Sequence, residues 1–284
     1  MQSKKSETIY HMPTGSQQGK TTIEPPKTIV DQFMKFWYWY ITRRDKQVEL
    51  TFLNYGFSNH KELDLDEKDE LNRYPIQLYD YIACSLDIQG LDVLEVGSGR
   101  GGGAEYICRC FKPRSYMGVD LNKSAVKFCN NYYSHKGLSF TRANAQDLPF
   151  EKNSFDVVIN VESSHRYTNV AKFFKEVHRV LKPQGYFLFT DFRDDYLIDP
   201  LHQQLRNSSL QIKKKEFITP YIVKALELDH NRRQMLIKRL CPLVFRPIAR
   251  DFAGLKGTRI YRWFKTGKLE YLYYVMQKPH NSGE

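Results

Sequence analysis

The sequence predicts an α/β fold with a doubly wound, mostly parallel sheet, and two observations predict it. First, short apolar runs that favour strands alternate with amphipathic segments that favour helices between residues 92 and 190. Second, the run 92–96 leads directly into five glycines within seven positions. Such a turn between a strand and a helix is typical of the ligand-binding edge of a parallel sheet.

These patterns place the elements in order. The alternation predicts helices at 71–86, 102–111, 124–133 and 170–181. It predicts strands at 92–96, 116–120, 138–142, 155–160 and 185–190, and a last apolar run closes the sheet at 269–277. The length of 284 residues suits one α/β domain with an elaboration.

The elaboration is predicted in segment 192–250, which interrupts the alternation. This segment is long and charged, and its helical periodicity is clearest at 221–240. We therefore predict a helical insertion that covers the substrate side of the site at the sheet edge. At the other end of the chain, residues 1–28 are polar and contain three prolines, which indicates a flexible tail.

An aromatic segment, 33–41, follows this tail and precedes Arg43 and Arg44. As a helix, it would carry aromatic side chains on every face. Such a helix either packs over a substrate pocket or lies at a membrane interface, where Trp and Tyr favour the headgroup level and basic residues flank them. Both interpretations stay open.

The formal net charge of +11 is concentrated in the C-terminal third. From residue 201 onwards there are 17 Lys and Arg but 6 Asp and Glu, whereas residues 1–200 are balanced. A basic patch of this kind faces an anionic membrane, an acidic substrate or a nucleic acid, or it is an ordinary solvated surface.

The cysteines and the hydropathy indicate in which cellular compartment the protein works. Five cysteines without framework spacing indicate free thiols in a reducing compartment. Cys108 and Cys110 lie on different faces of a predicted helix, so no metal site is expected. Because no signal-peptide pattern and no membrane-spanning apolar run is present, we expect a cytoplasmic protein, with peripheral contact to a membrane left open.

The glycine turn predicts a cofactor site, because backbone without Cβ atoms lets a ligand approach the N–H groups at a helix start. Gly97, Gly99 and Gly102 also match the dinucleotide pattern G-x-G-x-x-G. Glu95 argues against a dinucleotide, because a carboxylate there repels a pyrophosphate but suits the sulfonium and ammonium groups of S-adenosylmethionine (SAM). SAM is therefore the predicted cofactor. Its predicted contacts in this stretch are Glu95, Gly97, Ser98, Gly99 and Gly101.

Later strand ends add further cofactor contacts. Asp120 can accept hydrogen bonds from both ribose hydroxyls; the alternative is an N-cap for the helix that begins near Lys123. Asn144 can accept from the adenine amine while the backbone of Ala145 or Gln146 donates to the ring; the alternative is an ordinary Asx turn. Two residues complete the predicted cofactor-binding set: Leu121 and Asn160.

The loop after the fourth strand carries the candidate catalytic residues, His165 and Glu162. Methyl transfer to a hydroxyl needs a base to take the hydroxyl proton, and histidine titrates in the useful range. His165 is therefore the predicted base, with a substrate-positioning or structural role as the alternative. Glu162 could orient His165, bind substrate or bond the backbone at the strand end.

The combined motifs resemble the class I SAM-dependent methyltransferases, which implies a Rossmann-like fold with a mostly parallel seven-stranded sheet. The similarity is closer to the phthiotriol/phenolphthiotriol dimycocerosates methyltransferase family, which O-methylates a hydroxyl of a long-chain lipid. It extends over roughly 33–278, and Asn144 stands where that family usually has Asp. The end of the fourth strand also resembles sterol C-methyltransferases. The motifs that carry the resemblance are 95–103, 118–121, 144–150, 155–165 and 180–185.

The resemblance implies a SAM-dependent O-methyltransferase acting on a hydroxyl of a lipid, a polyketide or another hydrophobic small molecule. C-methylation of a sterol-like alkene and RNA methylation are the alternatives, as is a SAM-binding scaffold without activity. No nucleic-acid partner is expected, because the loop after the fourth strand lacks the Asn/Asp-Pro-Pro-aromatic tetrad.

The chain divides into five predicted parts. The central part, 89–191, is the SAM-binding core. The parts around it are a polar tail (1–30), an N-terminal helical cap (31–88), a helical acceptor-site insertion (192–255), and closing strands with a short tail (256–284).

Overall fold

The computed structural model describes residues 40, 45, 48, 50–59, 61 and 63–280. The predicted tail, nearly all of the predicted aromatic helix 33–41, and Arg43 and Arg44 lie outside the described residues. Within the part of the chain that is described, no helix combines the length and the apolar composition needed to cross a bilayer.

A seven-stranded sheet with the order β3-β2-β1-β4-β5-β7-β6 forms the centre of the molecule. Strands β1 to β5 are parallel, and β7 runs antiparallel to both β5 and β6. The predicted doubly wound, mostly parallel sheet is confirmed. The strands are β1 Asp92–Val96, β2 Ser115–Asp120, β3 Leu138–Arg142, β4 Phe155–Val161, β5 Leu181–Asp194, β6 Gln211–Phe217 and β7 Leu269–Gln277.

The helices of the core lie close to their predicted positions. Asn122 and Asn169 cap α4 and α5, each accepting a backbone N–H of the first turn, which explains where these helices begin. The helices of this region are α1 Glu67–Glu70, α2 Arg73–Ala83, α3 Gly102–Phe111, α4 Lys123–Tyr132 and α5 Val170–Val180. Those that follow are α6 Ile198–Arg206, α7 Thr219–Leu228, α8 His230–Leu240, α9 Arg246–Phe252 and α10 Arg259–Lys265.

The predicted insertion differs from expectation in two ways. Strand β6 lies in a stretch predicted as helical, because this edge strand is mostly exposed and charged and is held by its ladder with β7 rather than by an apolar face. The single helix predicted at 221–240 is two helices, α7 and α8, which meet at Asp229. Segment 256–284 therefore contributes one described strand, β7, and its partner β6 comes from the insertion.

Two apolar layers cover the sheet. One packs helices α2, α3, α7 and α10 against one face, and the other packs α5 and α6 against the opposite face. Successive residues of β1 serve both layers, with Val93 in the first and Leu94 in the second. Because β1, β2, β4 and β5 run parallel, their carboxyl ends lie together at one edge of the sheet.

Gly103 tests how tightly α2 and α3 pack. A Cβ added there would lie 2.0 Å from Cζ of Tyr79. Gly103→Ala should therefore lower the free energy of unfolding by about 1–3 kcal/mol through overpacking, measured by urea denaturation. In Gly257→Ala, where the added Cβ meets nothing within 4 Å, only the left-handed backbone would be strained. Equal midpoints for Gly103→Ala and the wild type would contradict the predicted close packing.

Candidate active site

The glycine loop 97–101 leaves β1 and brings bare backbone to the carboxyl edge of the sheet. Gly97, Gly99 and Gly101 all have positive φ, at +83°, +55° and +77°. At Gly97 a Cβ would lie 2.0 Å from Oγ of Ser163, so only glycine allows the end of β1 to approach the loop after β4 this closely. The loop therefore has the form that a ligand contacting the backbone requires.

Asp120 braces this loop from the end of β2. Its carboxylate accepts from the backbone N–H of Gly99 at 3.0 Å and from that of Asn122 at 2.8 Å. The N-cap of α4 is Asn122, so the alternative reading of Asp120 as that cap is wrong. Burial raises the pKa of Asp120, while these N–H groups act to lower it. Its predicted bond to the ribose stays a prediction.

Glu95 lies inside β1 and is fully buried. Its two carboxylate oxygens accept from the hydroxyls of Tyr79 at 2.7 Å and Tyr116 at 3.0 Å. Burial raises the pKa of Glu95 to about 7, against the lowering effect of the two tyrosines. Both oxygens are thus bonded and Glu95 has no exposed surface, so the cationic contact predicted from the sequence stays a prediction.

The loop after β3 folds as an Asx turn. Oδ1 of Asn144 accepts from the backbone N–H of Gln146 at 3.0 Å, and the carbonyl of Asn144 accepts from the N–H of Asp147. The N–H of Gln146 is therefore already bonded within the turn. Of the two backbone donors predicted for adenine, the N–H of Ala145 is the better placed to bond it. Leu121 lies beyond β2 with 61% of its surface exposed.

Around the loop, two buried polar atoms have no hydrogen-bond partner among the described residues: Oγ of Ser98 and Oδ1 of Asn160. Nδ2 of Asn160 donates to the carbonyl of Val96 and to the hydroxyl of Tyr167. Unpartnered buried polar atoms in and beside a glycine-rich loop, with two acids nearby, fit a polar, cationic nucleoside such as SAM. When bound, SAM supplies a methyl group activated by its sulfonium.

His165 lies in a 3₁₀ turn, Ser164–Arg166, directly after β4. Its Nδ1 is 2.7 Å from Oδ1 of Asp191, which lies within β5. The backbone N–H of His165 donates to Oδ2 of the same carboxylate at 2.9 Å. No described residue bonds Nε2 of His165. This is the arrangement of a histidine whose far nitrogen is presented to a substrate.

Asp191 is itself fixed by its neighbours. The hydroxyl of Ser164 donates to it at 2.7 Å, and Arg193 lies 3.1 Å away. Burial acts to raise the pKa of Asp191, but the charges of His165 and Arg193 outweigh it and hold the pKa below its usual range. The carboxylate therefore stays ionised beside His165.

Glu162 takes a strained backbone conformation, with φ of +44°, at the end of β4. Its Oε1 accepts from the backbone N–H of Tyr55 at 2.7 Å and from the hydroxyl of Tyr271 at 2.6 Å. Burial raises the pKa of Glu162 to about 8, so near neutral pH this side chain carries a proton. The backbone that Glu162 bonds is that of Tyr55 and not that of the strand end, so its role among those that the sequence left open stays a prediction.

An aromatic wall adjoins His165. The ring of Phe192 lies 4.3 Å from the imidazole, centroid to centroid. Around Phe192 stand Tyr55 at 5.5 Å, Phe264 at 5.7 Å and Tyr271 at 6.3 Å. Tyr55, Phe264 and Tyr271 are buried in the core, so half-buried Phe192 is the apolar side chain of this cluster that an acceptor beside His165 could contact.

Sequence reasoning placed the catalytic loop but missed Asp191, Tyr55 and Tyr271. Asp191 carried a signal, because it follows an apolar strand and thus falls at the same sheet edge as His165. Tyr55 and Tyr271 carried none, since they reach Glu162 from sequence distances of 107 and 109 residues.

Residues 94–189 match the model of a methyltransferase domain. The chain is 40% identical to a fatty-acid O-methyltransferase of Mycolicibacterium smegmatis, over 88% of this chain and 92% of that protein. It is 36% identical to a phthiotriol/phenolphthiotriol dimycocerosates methyltransferase of Mycobacterium tuberculosis, over 86% of this chain and 91% of that protein. These similarities and the fold show that the chain belongs to the class I SAM-dependent methyltransferases.

The fold agrees with solved structures of this class. A putative sarcosine dimethylglycine methyltransferase from Galdieria sulphuraria superposes with a TM-score of 0.67 at 16% identity, over 88% of this chain and 99% of that one. The protein is therefore a SAM-dependent methyltransferase, as predicted, and its cofactor is SAM.

The raised pKa of Glu162 predicts a pH-dependent stability. Between the ordinary value of 4.5 and about 8, the folded protein keeps a proton that the unfolded chain releases, so this group costs stability as pH rises through that window. Glu162→Gln should remove this loss, so its melting temperature relative to the wild type should rise from pH 5 to pH 8, by several degrees (about 2 kcal/mol). The control Glu67→Gln, at an exposed position, should run parallel to the wild type. Parallel curves for Glu162→Gln as well would contradict the assignment.

Proposed function

We propose that this enzyme methylates an oxygen atom of a lipid acceptor, with a hydroxyl as the expected group. One observation carries the proposal: His165 is oriented by the ionised Asp191 and lies against the apolar ring of Phe192. A base and an apolar wall in contact are what a hydroxyl on a hydrocarbon requires.

The residues divide the work. Nε2 of His165 takes the hydroxyl proton as the oxygen attacks, and Asp191 holds the imidazole and stabilises the imidazolium that forms. Phe192 gives the hydrocarbon an apolar contact beside His165, which helps to keep the acceptor oxygen in line with the methyl group. The glycine loop and Asp120 position the cofactor. Glu162 keeps the end of β4 and Tyr271 in register.

The relatives support a lipid acceptor, because the two proteins compared above are named for fatty acids and for phthiotriol-type lipids. The first of these names favours a second candidate, methylation of a fatty-acid carboxylate. A carboxylate has no proton to lose near neutral pH, so that reaction would depend far less on His165. Neither C-methylation of a sterol-like compound nor RNA methylation is favoured by the relatives.

Two further parts of the proposal concern the surroundings of the site. We assign the region 31–88 and the segment 192–255 to the enclosure of the acceptor, because Tyr55 and Phe192 come from them. We also propose that the enzyme contacts a membrane peripherally, since a lipid acceptor resides there and the C-terminal third is basic.

His165→Ala should lower kcat for a hydroxylated lipid by about 100-fold or more, because no base remains to take the proton. The Kd for SAM, measured by calorimetry, should stay within about twofold of the wild type, since His165 lies outside the glycine loop. His135→Ala, at an exposed histidine, is the matched control. Full turnover of a hydroxylated lipid by His165→Ala would refute the proposed base. A wild-type enzyme that methylates fatty acids but no hydroxylated lipid, with this activity kept in His165→Ala, would point to the carboxylate reaction.

Asp191→Asn should lower kcat by about 100-fold, because the imidazolium loses its anionic partner while the charge of Arg193 remains close. The double variant His165→Ala/Asp191→Asn should be no slower than His165→Ala alone, because the two residues act as one unit. A further loss of kcat in the double variant would show that Asp191 does not act through His165.

A further inference from the structure

The turn between α8 and α9 displays apolar side chains to solvent. Leu243, Val244 and Ile248 are 76%, 74% and 51% exposed. They are not part of the small core beneath them, where Ile237 and Ala249 are buried together. The exposed basic residues Lys238 and Arg250 lie near them in the sequence. We call these five residues the turn surface.

The charge around the turn surface is strongly positive. From residue 238 to residue 268 the chain contains nine Lys or Arg and one acidic residue, Asp251. Asp251 is already paired with Arg259 at 3.0 Å, so it neutralises little of this charge. Exposed aliphatic side chains within a basic field are the chemistry that anionic lipid bilayers bind.

The turn surface is connected to the catalytic histidine. Ile248 and Phe252 lie four residues apart on α9 and hence on one face. The guanidinium of Arg166, the residue after His165, lies 5.8 Å from the ring of Phe252. The carbonyl of Phe252 accepts from the hydroxyl of Tyr55, which belongs to the aromatic wall. Phe252 thus joins the face of α9 that carries Ile248 to the residue next to His165 and to Tyr55.

We propose that the turn surface docks the enzyme on an anionic phospholipid bilayer, with Leu243, Val244 and Ile248 inserted and the surrounding bases at the phosphate level. This proposal rests on the proposed lipid-acceptor function and locates the membrane contact that the function requires. Docking in this orientation turns the α9 side of the acceptor site toward the leaflet that holds the substrate.

The test uses the full chain, without SAM or acceptor, and sedimentation with vesicles. One set contains phosphatidylcholine alone, and the other contains about one third phosphatidylglycerol. Binding to the anionic vesicles should exceed binding to the neutral ones by about tenfold or more and should fall as salt is raised. Both Lys238→Glu/Arg250→Glu and Leu243→Ser/Val244→Ser should weaken it by about tenfold.

The matched control is Lys213→Glu/Lys215→Glu, which makes the same charge change on the exposed edge strand β6. It should bind vesicles more tightly than the Lys238→Glu/Arg250→Glu variant. Equal binding by the two charge variants, equal binding to both vesicle types, or binding to RNA without binding to vesicles would overturn the proposal. So would a dimer in solution that Leu243→Ser/Val244→Ser dissociates.

A second readout separates this proposal from the proposed function. With a lipid acceptor dispersed in detergent, all variants of the turn surface should methylate at the wild-type rate, because none of these residues belongs to the catalytic machinery. Vesicle binding without any lipid methylation would refute the proposed lipid-acceptor function but not the docking surface. Methylation of the detergent-dispersed acceptor without vesicle binding would refute the docking surface but not the proposed function.

Discussion

The buried carboxylate of Asp191 is the interaction on which the acceptor side of the site depends. It receives the side chain and the backbone N–H of His165, the hydroxyl of Ser164 and the guanidinium of Arg193. An isolated buried charge would cost several kcal/mol, and this set of donors and cations offsets that cost. Because His165 and Ser164 come from the turn after β4 while Asp191 lies on β5, their contacts fix this turn to the sheet.

The cofactor side obeys a steric rather than an electrostatic constraint. The ends of β1 and β4 come so close that a side chain at Gly97 would collide with Ser163. Asp120 then ties the glycine loop to β2 through the N–H of Gly99. Backbone donors and buried acids therefore meet at one edge of the sheet, next to the position that His165 occupies. The two halves of the site are neighbours because β1 and β4 are neighbours.

The C-terminal third combines structural and surface roles. Its β6–β7 pair completes the sheet, and β7 brings Tyr271 to Glu162. The helices between these strands carry the basic residues and the exposed turn surface. The C-terminal third thus contributes the end of the sheet, a partner of Glu162 and the route by which a lipid acceptor is proposed to enter.

The sequence by itself determined the alternation of strands and helices, the glycine loop and the position of His165, because each depends on local propensity and on residues close together in the chain. Strand β6 escaped prediction because its ladder with β7, and not an apolar pattern, holds it in place. Only the tertiary structure decided that Asp191 pairs with His165, that Asn122 and not Asp120 caps α4, and that Glu162 is anchored by Tyr55 and Tyr271. Contacts between residues far apart in the chain, and the desolvation that raises the pKa of Glu162, exist only once the elements have packed.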